Sequence, residues 1–177
     1  DNNLSYDLSK IVLNRNYSLD EINELENEFQ LNNPFSNNKD FLKARNLLIK
    51  IIKKKELVLV YGDSDVDGVC STAILVNFLN YIKNPNYYLI PNRFNDGYGP
   101  NLDLIKKNLK KNTKIVIFVD CGSNSTKIIN FLKKNNIEVL IIDHHHINNK
   151  LPSTLNIINP MKNPKAVSYT HLRAHET

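Results

Sequence analysis

Asp63-Ser64-Asp65-Val66-Asp67-Gly68, Asp120-Cys121-Gly122-Ser123 and Asp143-His144-His145-His146 carry the chemistry of this chain. Each follows directly on an apolar run, at residues 57–61, 115–119 and 139–142 respectively. Carboxylates and imidazoles gathered at strand ends suit a pair of hard divalent cations, and such a pair suits phosphoester hydrolysis. Three carboxylates at one buried strand end would repel one another unless a cation neutralised them. Neutral imidazole ligates Mn²⁺ well, and Asp143 is a candidate for orienting one of the rings. Zinc fits less well, because Cys70 and Cys121 offer no thiolate pair at ligand spacing.

Each cluster also has a plainer reading. Asp-x-Asp-x-Asp-Gly opens an EF-hand loop, but the bidentate Glu due at loop position twelve is replaced by Ile74. Asp120 could be no more than a helix N-cap. The histidines could lie in an exposed loop. The segment Pro91-Asn92-Arg93-Phe94-Asn95-Asp96-Gly97-Tyr98-Gly99-Pro100 combines an arginine able to fork a phosphate with aromatics able to stack on bases. Taken alone, it reads equally as a glycine-rich turn with packed aromatics.

The elements that must position these groups are legible from periodicity. Ser18 and Glu21 have capping-box spacing, with Leu19, Ile22, Leu25 and Phe29 at helical intervals after them. Asn32-Asn33-Pro34 ends that helix, and a second from Asp40 carries Phe41, Ala44, Leu48 and Ile51 on one face. Beyond it, strands at 57–61, 87–90, 114–119, 139–142 and 155–158 alternate with helices at 69–81, 102–109 and 126–134. Strands that are apolar throughout predict a mostly parallel α/β sheet, doubly wound with helices on both faces. Such sheets bind ligands at the carboxyl ends of their strands, where Asp63, Asp120 and Asp143 all fall.

A chain of 177 residues with 41% hydrophobic and 23% charged residues is long and apolar enough for one ordinary domain. Its formal charge of +5 suits a polyanionic partner. No apolar run approaches the ~20 residues of a membrane span, and the polar, acidic N-terminus carries no secretory signal. Two cysteines without a disulfide framework imply a reducing, cytoplasmic setting.

Between Leu42 and Pro160 the motifs together resemble the DHH phosphoesterase superfamily, and within it the RecJ-type single-strand exonucleases. The resemblance rests on Tyr61-Gly-Asp-Ser-Asp-Val-Asp-Gly68, Pro91-Asn-Arg-Phe-Asn-Asp-Gly-Tyr-Gly99, Val119-Asp-Cys-Gly-Ser123, Asp143-His-His145, Leu151-Pro152 and Ile158-Asn-Pro160, in that order. It implies that Asp63, Asp65, Asp67, Asp120 and His144 hold two Mn²⁺ or Mg²⁺ ions, with Asp120 bridging. His145 would face the phosphate or assist at the metal, Arg93 would grip a phosphate, and Tyr98 would contact the strand. Ser64 departs from the family's usual Tyr. The implied activity is stepwise 5′→3′ hydrolysis of single-stranded DNA in repair and recombination. Partners such as a single-strand-binding protein or a helicase leave no signal in the sequence.

Two other activities compete with that one: a phosphodiesterase for short oligonucleotides or cyclic dinucleotides, and a non-catalytic replication scaffold. The expected organisation is a helical extension over 1–55, a truncated DHH domain over 56–165 and a non-native tail over 166–177. The family's further metal-binding Asp and second domain are not found before Lys165, so the chain alone is expected to be inactive.

Overall fold

The β-branched and apolar runs named above become strands, and the intervening segments fold over them as helices. The computed structural model describes residues 6–15, 38–148 and 156–162. Two compact units divide the chain, Asp1–Ser36 and Asn37–Thr177. In the first, the described element is helix α1 (Tyr6–Asn14). The helix expected after Ser18, the Leu151-Pro152 motif and the tail at 166–177 lie outside the described residues.

The second unit is built on five strands: β1 (Leu57–Gly62), β2 (Asn86–Leu89), β3 (Thr113–Val119), β4 (Glu138–Ile142) and β5 (Asn156–Ile158). They form one sheet in the order β2-β1-β3-β4-β5, and every pairing is parallel. From β1 the chain steps outward to β2, then crosses back over β1 to β3. Parallel crossovers are right-handed, so this reversal of direction puts the connecting helices on opposite faces.

The core shows that division. On one face α2 (Lys39–Lys53) and α3 (Val66–Tyr81) pack Ala44, Ile51 and Leu79 against Val58, Val60, Ile115, Ile117 and Leu140. On the other, α4 (Leu102–Asn108) and α5 (Thr126–Lys134) pack Ile105, Ile128, Ile129 and Leu132 against Leu59, Val116, Phe118, Val139 and Ile141. Through Ala44 and Ile51, α2 contributes to the core of the unit that begins at Asn37. No helix among the described residues is long and apolar enough to cross a membrane.

Polar side chains set where the helices start. Asn38 accepts from the backbone N–H groups of Asp40 and Phe41, and Asn101 does the same for Asp103 and Leu104. Asp65 caps α3 by accepting from Gly68 N at 2.9 Å. The helix therefore opens at Val66, three residues before the Val69 that apolar periodicity suggests. Asp67 and Gly68 disguise its first turn.

Gly68 brings that turn onto the end of β1. A Cβ at this position would lie 2.6 Å from the backbone N and C of Asp63, and would also meet its carbonyl oxygen. Helix propensity favours Ala over Gly by about 1 kcal/mol. A collision with backbone, which cannot move aside as a side chain can, outweighs it. Gly68→Ala is expected to destabilise the fold by roughly 1–3 kcal/mol, seen as a lower urea midpoint with an unchanged slope.

Candidate metal centre

The last fully registered row across the sheet is Gly62, Val119, Ile142 and Ile158. The next residue in each strand's path is Asp63, Asp120, Asp143 and Asn159. The ladder carries on into them, since Asp120 N donates to Ile142 O at 2.9 Å and Asp143 N to Ile158 O at 3.0 Å. Register thus places four polar side chains along one rim, beside the crevice where β1 and β3 diverge.

Asp120 holds the centre of that rim. Its φ of 59° lies in the left-handed region, which an L-residue occupies at some cost and which recurs at functional sites. The residue is only 8% exposed. One carboxylate oxygen, Oδ1, lies 2.9 Å from His144 Nε2, while buried Oδ2 has no hydrogen-bond partner. Burial raises the pKa of this carboxyl. His144 and His145 pull it down, and the negative charges of Asp65 and Asp67 push it up again. Ligand atoms of Asp120, His144 and His145 fall within 4.8 Å of one another.

Asp143, next along the rim, is saturated. Its Oδ1 accepts from His145 Nδ1 at 2.8 Å, His144 N at 2.7 Å and His145 N at 3.1 Å. Its Oδ2 accepts from Ser123 N at 3.0 Å. Burial works to raise the Asp143 pKa, but bonds from Ser123 and His145 prevail and hold it below the usual carboxylate range. Asp143 therefore orients a ring, and that ring is His145. For His145, burial disfavours the cation, yet the Asp143 bond and charge, with Asp120 and Asp63 beyond, raise its pKa. When Nδ1–H donates to Asp143, the neutral ring keeps its lone pair on Nε2.

The other residues named from sequence take separate places. Asp63 is 1% exposed and accepts from Ser64 N at 2.6 Å. Asp65 has one oxygen on Gly68 N, and Asp67 stands in the exposed first turn of α3. None of these three belongs to the 4.8 Å group, although Asp65 and Asp67 act electrostatically on Asp120. Asp120 caps no helix, because α5 starts at Thr126 with Ser125 at its cap. Ile74, at the place of the EF-hand glutamate, is an exposed residue within α3.

The glycine-rich turn does not pack its aromatics: Phe94 is 95% and Tyr98 66% exposed. Gly97 and Gly99 adopt φ of 84° and 74°, which their lack of a side chain permits. Arg93 Cζ sits 5.9 Å from the Tyr98 ring centroid. Partial burial raises the Tyr98 phenol pKa, as do Asp63, Asp65 and Asp120, so this loop lies within the field of the acidic rim.

Sequence reading assigned no role to Tyr61. Its hydroxyl accepts from Asn101 N at 3.0 Å, its ring lies 5.5 Å from that of Phe118, and burial pushes its pKa up to about 12. It ties the start of α4 to β1. A tyrosine ending an apolar strand gives no separate sequence signal. Cys121 is buried, and that burial raises its thiol pKa, so it is no nucleophile.

A hard or borderline divalent cation fits this donor set. The buried, unpartnered Asp120 Oδ2 is the observation that decides it, since an unsatisfied carboxylate oxygen away from water is costly and a cation would satisfy it. Because folding raises its pKa, ionised Asp120 weakens the metal-free protein. That penalty is absent below the ordinary carboxylate pKa and is complete above the raised value. Asp120→Asn is expected to leave metal-free stability at pH 7 equal or higher, and to abolish any Mn²⁺-induced rise in Tm. The opposite sign holds for His145. Its contribution is full below its ordinary pKa of about 6.5 and is lost as pH rises through the higher folded value. In metal-free protein, NMR should place the His145 midpoint above 6.5, and Asp143→Asn should bring it down.

Residues 57–173 match the model of the DHH family, N-terminal domain. The chain is 36% identical over 118 residues to the single-stranded-DNA-specific exonuclease RecJ of Haemophilus influenzae, covering 66% of this chain and 20% of that protein. Its fold is similar to a crystal structure of exonuclease RecJ bound to manganese, with a TM-score of 0.62 and 30% identity, covering 69% of this chain and 31% of that one. RecJ from Thermus thermophilus in complex with Mn²⁺ gives a TM-score of 0.63 at 25% identity, covering 86% and 21%. The chain thus spans about a fifth of the length of the curated relative it matches. With the five-stranded parallel sheet and its acidic rim in the same stretch, the match shows that this chain belongs to the DHH family.

Proposed function

We propose that the complete protein is a single-strand-specific DNA exonuclease that hydrolyses phosphodiester bonds with Mn²⁺ or Mg²⁺ at the rim of this sheet. Asp120 carries the reading: a buried carboxylate with one free oxygen, flanked by His144 and His145 and facing the charges of Asp65 and Asp67. Similarity to relatives named as single-stranded-DNA-specific exonucleases supports the choice of substrate. The 5′→3′ polarity and a place in repair and recombination belong to the same proposal.

Asp63, Asp65, Asp67, Asp120 and His144 would hold two cations, with Asp120 as the central ligand. Bound cations supply Lewis acidity and neutralise charge at the scissile phosphate. His145, steered through Nδ1 by Asp143, presents Nε2 toward the phosphate. Arg93, beside Tyr98 on the braced loop, grips a backbone phosphate and sets register. Exposed Tyr98 and Phe94 stack on unpaired bases, which selects single strands without reading sequence. This chain alone, matching about a fifth of such a relative, is expected to be inactive.

In the complete protein, Asp65→Ala and Asp120→Ala should each abolish Mn²⁺-dependent release of nucleotides from single-stranded DNA. Near-wild-type release by either variant would overturn the reading. Preference for dinucleotides over long strands would move it to a short-oligonucleotide phosphodiesterase.

A further inference from the structure

We infer that Asn159 is a positioning residue for His145, acting from the loop after β5 through Ser123 and Asp143; its link to the metal centre rests on the function proposed above. Asn159 takes the place on β5 that Asp63, Asp120 and Asp143 take on β1, β3 and β4, one step beyond the last registered row. It is 5% exposed, so each of its polar atoms needs a protein partner.

Its partners fix which way the amide faces. The backbone N–H of Met161 can only donate, and it lies 2.9 Å from Oδ1. The carbonyl of His145 can only accept, and it lies 2.9 Å from Nδ2. The remaining Nδ2 proton reaches Ser123 Oγ, also at 2.9 Å. Reversing the amide would break the first two contacts together.

That orientation ties Asn159 to two residues around Asp143. Ser123 Oγ accepts from Asn159 at 2.9 Å, which anchors the side chain of Ser123. Ser123 N donates to Asp143 Oδ2. Asp143 is then an acceptor on both oxygens and takes the Nδ1 proton of His145 on Oδ1. Direct bonding of Asn159 to His145 O fixes the backbone of the same residue. The amide thereby joins the loops after β3, β4 and β5, and it holds the backbone of His145 and the Ser123 whose N–H meets the Asp143 that orients the ring. Without it, Ser123 and the backbone of His145 lose their common anchor, and the ring loses a fixed orientation.

A merely structural Asn159 would only cap the turn Pro160–Lys162 through Met161. Asn159→Ser separates the two roles, since serine keeps an oxygen for the Met161 N–H but is too short to reach both Ser123 and His145. Two measurements apply to the 177-residue chain: Mn²⁺ affinity by EPR of the free ion, and the His145 tautomer in metal-free protein by long-range ¹H–¹⁵N correlation at a pH where the ring is neutral. Asn159→Ser is expected to mix the tautomers with Tm near wild type, and to weaken Mn²⁺ binding about 10-fold through His145, whose ring nitrogen lies within the 4.8 Å group of Asp120 and His144. Unchanged affinity together with an unchanged tautomer would overturn the inference. If that variant fails to fold, Ser123→Ala, which keeps the Asn159 bond to His145 O, carries the same expectation and the same refutation. Wild-type chain that binds no Mn²⁺, while Asn159→Ser still mixes the tautomers, would sink the metal reading and leave Asn159's role intact.

Discussion

A carboxylate held away from water at the centre of the sheet is the constraint around which this domain is organised. Asp120 ends β3, the strand flanked by β1 and β4, and little of it reaches solvent. Burying an unsatisfied ionised oxygen costs several kcal/mol, and the left-handed backbone there adds strain. The two apolar layers supply what offsets this. Fully buried Val, Ile and Leu side chains contribute about 1.5–3 kcal/mol each, and β1, β3 and β4 are lined with them on both faces. A sheet with one solvated face could not carry such a residue at its centre.

Neighbouring carboxylates on one rim are given opposite characters by their hydrogen bonds. Asp143 receives donors on both oxygens, and its pKa falls. Asp120, one strand away, keeps an oxygen without a donor, and its pKa rises. The first is an internal strut that fixes His145. The second is electrostatically unfinished, which suits the role of cation ligand proposed for it. Asp65 divides its two oxygens between tasks, capping α3 with one while its charge bears on Asp120. Helix capping at this position fixes the first turn of α3, which Gly68 brings onto the end of β1.

Much of this was legible in the sequence. Continuous apolar runs marked β1, β3 and β4, because strands buried on both faces cannot alternate, and their ends marked the acidic rim. The start of α3 was misjudged because a capping aspartate and a close-packed glycine do not look like a helix to a hydrophobic pattern. The placement of α2 was also missed. Its amphipathic face shows that it must be buried, but not that the sheet is what buries it. Asp143, His144 and His145 read as one cluster, although His144 turns to Asp120 while Asp143 and His145 pair with each other.

Residue types and their spacing along the chain determined the elements, the parallel sheet and the list of groups able to meet a cation, since these follow from local periodicity and from strand ends sharing one edge. Tertiary structure alone decided which carboxylate is satisfied and which is left open, and that Asn159 reaches back to Ser123 and His145. The physical reason is register. Hydrogen-bond partners across a parallel sheet lie tens of residues apart in sequence, and a shift of one residue would turn every rim side chain to the other face.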